Sequence, residues 1–443
     1  MKQILALNAF SMDKAGGLDP ALKARIERRR KAFGAATVLF YEEPLVFVRG
    51  EGCWLYDDKG DAYLDVYNNV PSVGHCHPHV VEAVAAQLAK INTHTRYISP
   101  VVDAYAERLL ATFPAPLSNV TFTCTGSESN DLALRLARRF TGKRGFIATR
   151  SAYHGNTAAV TDVSPSSFKT GEVPDYVKLV DAPDSYRIPP EQLAERFAAS
   201  VREAAAALAA AGYGLAAMIA DSIFSSDGIY ADPAGFLKPV VEAVHKAGGL
   251  FIADEVQPGF GRSGASLWGF MRHDIVPDIV TMGRPMGNGY PMGAVVTRPE
   301  ILATFCKDVG YFNTFGGSPA AAAAGNAVLD VIEGEGLIAN AGQTGAYLRA
   351  KLSGLAHRHP AVGDVRGAGL FVGLELIEPG SDKAPASAIA GAVINGLKKH
   401  KVLIGAAGPF GSTLKVRPPL CFSAANADTL VAAIDAVLTE LKV

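Results

Sequence analysis

The chain has 443 residues, of which 49% are hydrophobic and 19% charged; that is long enough for two folding units and too apolar for global disorder. Its 42 basic and 43 acidic residues leave a net charge of −1, which removes the electrostatic case for nucleic acid or an anionic membrane as the main partner. Five scattered cysteines point to reduced thiols in a cytoplasmic protein.

The apolar run at residues 1–7 is too short for a secretory signal. Residues 21–33 read as a basic helix, and 46–49, 53–56 and 62–65 as a small meander of strands. From about residue 78 helices and short apolar strands alternate. Residues 120–123 form a strand that runs through Gly126-Ser127 into an amphipathic helix over 130–140. Further strands are expected at 145–148, 217–220 and 250–253, with a helix over 233–247 closed by Gly248-Gly249. The alanine-rich stretch 204–220 is broken by Gly212-Tyr213-Gly214 and reads as helix, turn and strand rather than a membrane span. This alternation predicts an α/β fold, with a mostly parallel sheet covered by helices on both faces over residues 71–329. Beyond it come a helix over 344–357, a strand run at 369–376, a strand at 413–416 and helices over 386–399 and 427–441. These are expected to join residues 1–70 in a smaller α+β domain.

Several places carry side chains suited to chemistry. Thr125-Gly126-Ser127-Glu128-Ser129-Asn130 joins a strand to a helix. Free N–H groups and the positive end of a helix there can face an anion, although an ordinary helix cap uses the same residue types. Asp254 ends a buried strand in Ala253-Asp254-Glu255-Val256-Gln257, at the strand end where open α/β sheets bind ligands. Its carboxylate could hold a protonated pyridine nitrogen or cap a loop. Tyr153-His154-Gly155 offers an aromatic face to a planar group, or simple packing. Thr314-Phe315-Gly316-Gly317 is a second hydroxyl-bearing turn. Arg417 suits a bidentate clamp on a carboxylate, or a surface ion pair. The one-residue spacings of His75-Cys76-His77 match no common zinc pattern, so no metal is expected.

The order of these segments, continued by Gly259-Phe260-Gly261-Arg262, Thr281-Met282-Gly283, Gly287-Asn288-Gly289-Tyr290-Pro291 and Arg417-Pro418-Pro419, resembles class III aminotransferases of the fold type I pyridoxal-phosphate group over nearly the whole chain. The resemblance implies a homodimer with active sites at the subunit interface. It implies pyridoxal or pyridoxamine phosphate as cofactor, with Gly126 and Ser127 on its phosphate, joined by Thr314 contributed across the interface. Tyr153 would stack on the ring, Asp254 would pair with the pyridine nitrogen, and Val256 and Gln257 would line the cofactor site, Gln257 near the ring hydroxyl. Asp221 stands where many relatives carry a glutamate on the substrate side, leaving a shorter carboxylate.

Arg284 occupies the position of the Schiff-base lysine. A guanidinium, with a pKa above ~12, cannot condense with an aldehyde at neutral pH. The expectation is therefore an amino-group-transferring scaffold that binds its cofactor without a covalent link and turns over little. Tyr67-Asn68-Asn69-Val70, Asn92-Thr93-His94-Thr95-Arg96-Tyr97 and Tyr311-Phe312-Asn313-Thr314 are similar to the branch holding ethanolamine-phosphate and phosphohydroxylysine phospho-lyases. Phosphate elimination and silent cofactor binding stay open as alternatives. Arg417, suited to a carboxylate, puts transamination first.

Overall fold

The computed structural model describes residues 8–36, 38–168 and 173–443; the apolar run at 1–7 lies outside them. Helix α1 (Pro20–Phe33) opens on Asp19, whose carboxylate accepts from the amides of Ala21 and Leu22, a side-chain cap for otherwise orphan donors. Strands β1 (Phe47–Glu51), β2 (Trp54–Asp57) and β3 (Ala62–Asp65) form the expected antiparallel meander. Helices α2 (Pro78–Leu88) and α3 (Pro100–Leu110) lead into β4 (Asn119–Thr123).

The central layer follows in chain order. Helix α4 (Gly126–Thr141), β5 (Gly145–Thr149), α5 (Ala158–Asp162), β6 (Val177–Val180), α6 (Pro190–Ala210), β7 (Leu215–Ala220), α7 (Lys238–Lys246), β8 (Leu250–Asp254), β9 (Ile279–Met282) and β10 (Gly293–Thr297) succeed one another. The seven-stranded sheet has the order β4-β10-β9-β8-β7-β5-β6. Pairs among β5 to β9 are parallel, while β10 is antiparallel to both β4 and β9. Strand β4 therefore points the same way as β9. The carboxyl ends of β4, β5, β7, β8 and β9 share one edge of the sheet, the edge where doubly wound sheets bind ligands. Every residue of β5, β7, β8, β9 and β10 is buried, as expected for strands covered on both faces.

Helices α8 (Pro299–Cys306), α9 (Pro319–Gly334) and α10 (Leu337–Gly354) follow, then strands β11 (Val362–Ala368) and β12 (Phe371–Leu376). Helix α11 (Ser387–Lys399), β13 (Val402–Leu403), β14 (Gly405–Ala407), β15 (Thr413–Val416) and α12 (Ala424–Leu441) complete the chain. Strand β13 pairs in parallel with β3, so the two ends of the chain share a sheet. The order β11-β12-β15-β14 makes the third sheet.

Some boundaries differ from expectation for local reasons. The helix expected over 233–247 begins only at Lys238, with Pro239 in its first turn, the one place where a missing amide costs a helix nothing. The run 369–376 is a strand only from Phe371, because Gly369 turns the chain at φ +53° and a Cβ there would lie 2.3 Å from Arg262 O. Helix α9, unforeseen, buries residues around its whole circumference, so no polar stripe marks it in the sequence. The boundary expected near residue 330 falls within it.

Candidate active site

A cavity of about 290 Å³ lies along that shared edge. Helix α4 presents its N-terminus there. The Thr125 hydroxyl caps the Glu128 amide at 3.1 Å, and the Ser129 amide bonds Thr125 O at 3.0 Å. The amides of Gly126 and Ser127, which line the cavity, are left to an outside acceptor, with the Ser127 hydroxyl beside them. Such a helix end binds anions.

Asp254 sits at the end of β8, 5% exposed. Its Oδ1 accepts the Val256 amide at 3.0 Å. Its Oδ2 accepts from Asn130 Nδ2 at 3.0 Å and faces His154 Nδ1 at 2.7 Å. Asn130 also donates to His154 O at 2.7 Å and accepts from Thr281 Oγ1 at 2.6 Å. One amide side chain thus ties α4, β8, β9 and the loop after β5 together. A carboxylate has about four acceptor positions, so Asp254 keeps capacity for a donor in the cavity. Asn130 and His154 stand in the motifs quoted for the site, yet neither had a role assigned. The signal was their place beside Ser127 and Tyr153.

Arg284 follows β9 in a single 3₁₀ turn, Arg284–Gly287. Gly283 packs so closely on α4 that a Cβ would lie 2.9 Å from the Gly126 amide nitrogen. Within the turn, Pro285 O accepts from Ser72 Oγ at 2.8 Å, and just after it the Asn288 side chain bonds Val73 N and Gly74 O at 3.0 and 2.9 Å. Residue 284 is thereby held at the cavity wall. Burial lowers its guanidinium from the usual arginine value, and its Nε is buried without a partner.

A second cavity of about 180 Å³ shares Tyr153, Gln257 and Arg284 with the first. Arg417 lines it, donating from Nε to Tyr67 O at 2.7 Å and from Nη1 to Gln257 Oε1. Two of its three nitrogens are therefore engaged within the protein, and burial pushes its pKa down to about 10. Lys415, unremarked in the sequence, lines the same cavity. Its position two residues before Arg417 in a strand was the available signal.

Asp221, after β7, lines the first cavity but turns its oxygens to the Ile223 amide at 2.9 Å, the Ser225 amide at 3.1 Å and the Ser225 hydroxyl. Burial raises its pKa. Thr314 does not line the cavity of its own chain and is exposed. His75 Nε2, in the His75-Cys76-His77 segment, lies 2.7 Å from Asp65 Oδ2.

An anion-binding helix end, a buried carboxylate and an aromatic wall meet at one sheet edge, an arrangement that would suit pyridoxal phosphate. The two free amides fit the cofactor phosphate, and the spare acceptor capacity of Asp254 fits a pyridinium. Residues 40–438 match the model of the aminotransferase class-III family. The chain belongs to that family, whose cofactor is pyridoxal phosphate.

It is 44% identical over 429 residues to the alanine–glyoxylate aminotransferase 2-like protein of Drosophila melanogaster, covering 94% of this chain and 87% of the relative. It is 38% identical to the ethanolamine-phosphate phospho-lyase homolog 1 of Caenorhabditis elegans, covering 94% and 93%. Among solved structures, it superposes with a TM-score of 0.91 and 42% identity on a phospholyase from Arthrobacter in complex with phosphoethanolamine, covering 94% of this chain and 99% of that one. A Bacillus anthracis aminotransferase superposes with a TM-score of 0.85 and 27% identity, covering 96% and 100%.

Proposed function

We propose that this scaffold serves pyridoxal-phosphate-dependent elimination of phosphate from a phosphorylated amino alcohol or amine, and that Arg284 leaves the chain as it stands with little turnover. The state of Arg417 carries this reading. Transamination was favoured first because Arg417 could grip a carboxylate with an open fork, but Tyr67 O and Gln257 Oε1 already engage that fork. The likeness to the phosphoethanolamine-bound phospholyase supports the same direction.

In this reading the amides of Gly126 and Ser127 would hold the cofactor phosphate, the Asp254 carboxylate would accept from the ring nitrogen, and Tyr153 and Val256 would line the space for the ring. Gln257, fixed by Arg417, would be available to the ring hydroxyl. Bound there, the cofactor supplies a sink for the electrons released at the amine-bearing carbon. His154 and Asn130 hold the Asp254 carboxylate in place. Arg284 holds charge at the lysine's position but offers no amine to condense and, while protonated, no base to move the substrate's α-proton. The cofactor is accordingly held without a covalent bond.

We also assign the chain a homodimeric state. Thr314 is exposed between Phe312 and Phe315, which are 46% and 68% exposed, an apolar surface suited to a second copy that receives Thr314 at its cofactor phosphate.

Restoring the lysine tests the reaction. Arg284→Lys given phosphoethanolamine is expected to release inorganic phosphate without accumulating aminated cofactor. Aminated cofactor without free phosphate would instead favour transamination, the reading that the 44% identical Drosophila relative keeps open. Neither product would leave silent cofactor binding.

A further inference from the structure

Side chains two apart on a strand project from one face. On that basis Lys415 in β15 and Arg417 just beyond it both reach the second cavity, and both line it. The described residues lining that cavity include Lys415, Arg417 and Arg284 but no aspartate or glutamate. Lys415 is 4% exposed, and among the described residues no hydrogen bond or ion pair joins its ammonium to the protein. Among the described residues its aromatic contact is the Phe371 ring, 5.6 Å from Nζ. The carboxylates nearest Lys415, Asp221 and Asp227, lie outside that lining and are hydrogen-bonded elsewhere, so three basic side chains around one space suit an anion from outside.

We propose that Lys415, with Arg417, forms the binding site for the phosphate group of the substrate, and that Lys415 sets the preference for phosphate over carboxylate. This rests on the elimination reading only for what the rest of the substrate is. A carboxylate brings one charge, whereas a phosphate monoester brings about −1.5 to −2 and three acceptor oxygens. An unpinned ammonium with three rotatable donors suits that group, while Arg417, held by Tyr67 and Gln257, adds fixed charge. Because the two cavities meet at Tyr153, Gln257 and Arg284, a short substrate can place its amine at the cofactor and its phosphate at Lys415.

The electrostatics agree. Burial and then Arg417 lower the Lys415 pKa well below the ordinary lysine value. The charged groups facing it are Arg417 from the end of its own strand, Arg284 after β9, and Asp221 and Asp227 after β7. Asp227 is already bonded by Thr149 Oγ1 and the Ser151 amide. A dianion in the cavity offsets the repulsion from both guanidiniums, so its binding draws a proton onto Lys415.

The test uses the full chain loaded with pyridoxal phosphate, so that the helix N-terminus is filled, and titrates it calorimetrically with ethyl phosphate and with propanoate. Neither probe carries an amine, so neither reacts with the cofactor. Ethyl phosphate is expected to bind at least tenfold tighter than propanoate, roughly the effect of one charge-assisted hydrogen bond, with proton uptake visible as a buffer-dependent heat. Lys415→Met is expected to lose about that factor and the proton uptake while retaining cofactor, and Lys415→Arg to keep most of the affinity. Equal binding of the two probes, or unchanged ethyl phosphate affinity in Lys415→Met, overturns the site. The Arg284→Lys form separates the two ideas. Phosphate release from phosphoethanolamine with a KM indifferent to Lys415→Met sinks the anion site and leaves elimination standing. No release, with ethyl phosphate binding still dependent on Lys415, does the reverse.

Discussion

His154 Nδ1 lies 2.7 Å from Asp254 Oδ2 in a pair nearly sealed from water, and the other nitrogen of the same ring, Nε2, is buried with no partner. The imidazole therefore serves the carboxylate and nothing else around it. His154→Phe keeps the ring's packing and removes that one donor. Cofactor affinity, measured by equilibrium dialysis, is expected to fall about tenfold, because Asp254 then meets the ring nitrogen less well oriented. The melting temperature of the cofactor-free protein should fall as well, since a buried carboxylate loses a donor.

Gly283→Ala tests how residue 284 is placed. The new Cβ would lie 2.9 Å from Gly126 N and 3.0 Å from Gly126 Cα, both backbone, so the loop or the helix end must move. Overpacking of this kind costs on the order of 1–3 kcal/mol. Cofactor titration should show weakened phosphate binding even in a fold that still melts cooperatively. Unchanged affinity would mean that the loop and helix are not locked together.

Lys415→Met should stabilise the anion-free protein by about 1 kcal/mol, because an unpaired buried charge gives way to an apolar side chain of similar length. The sign with pH follows from the lowered folded-state pKa. Between that value and the ordinary lysine value the unfolded chain holds the extra proton, so wild-type stability rises with pH. The variant's advantage is expected to be largest at low pH and to shrink toward about pH 10.4. Denaturant midpoints across that range measure it. An advantage independent of pH would show that Lys415 is buried without a proton-linked cost.

Much of this was legible in the chain. The buried strands 217–220 and 250–253 and the glycine-serine helix start announced a parallel sheet with its site at the strand ends, since apolar runs and Gly126-Ser127 act locally. Arg284 was conspicuous because its neighbours prepare for a different residue. Long-range partners were not legible. The grip of Asn130 on Asp254 joins residues 124 apart, and the engagement of Arg417 by Gln257 joins residues 160 apart. Spacing encodes neither, and the second bears on the choice between transfer and elimination, where we favour elimination. Lys415 escaped notice for a related reason: a lysine in a short strand looks like a solvated face until the cavity beside it is known.

The central claim is that residue 284 stands at the wall of the proposed cofactor site and supplies no amine to it. Borohydride reduction of the protein saturated with pyridoxal phosphate, followed by peptide mass mapping, addresses it directly. The expected result is no cofactor adduct at residue 284 in this chain, dialysable cofactor before reduction, and a stable adduct at the same residue in Arg284→Lys. An adduct on Arg284 itself, or an Arg284→Lys protein that gains none while binding the cofactor, would contradict the claim.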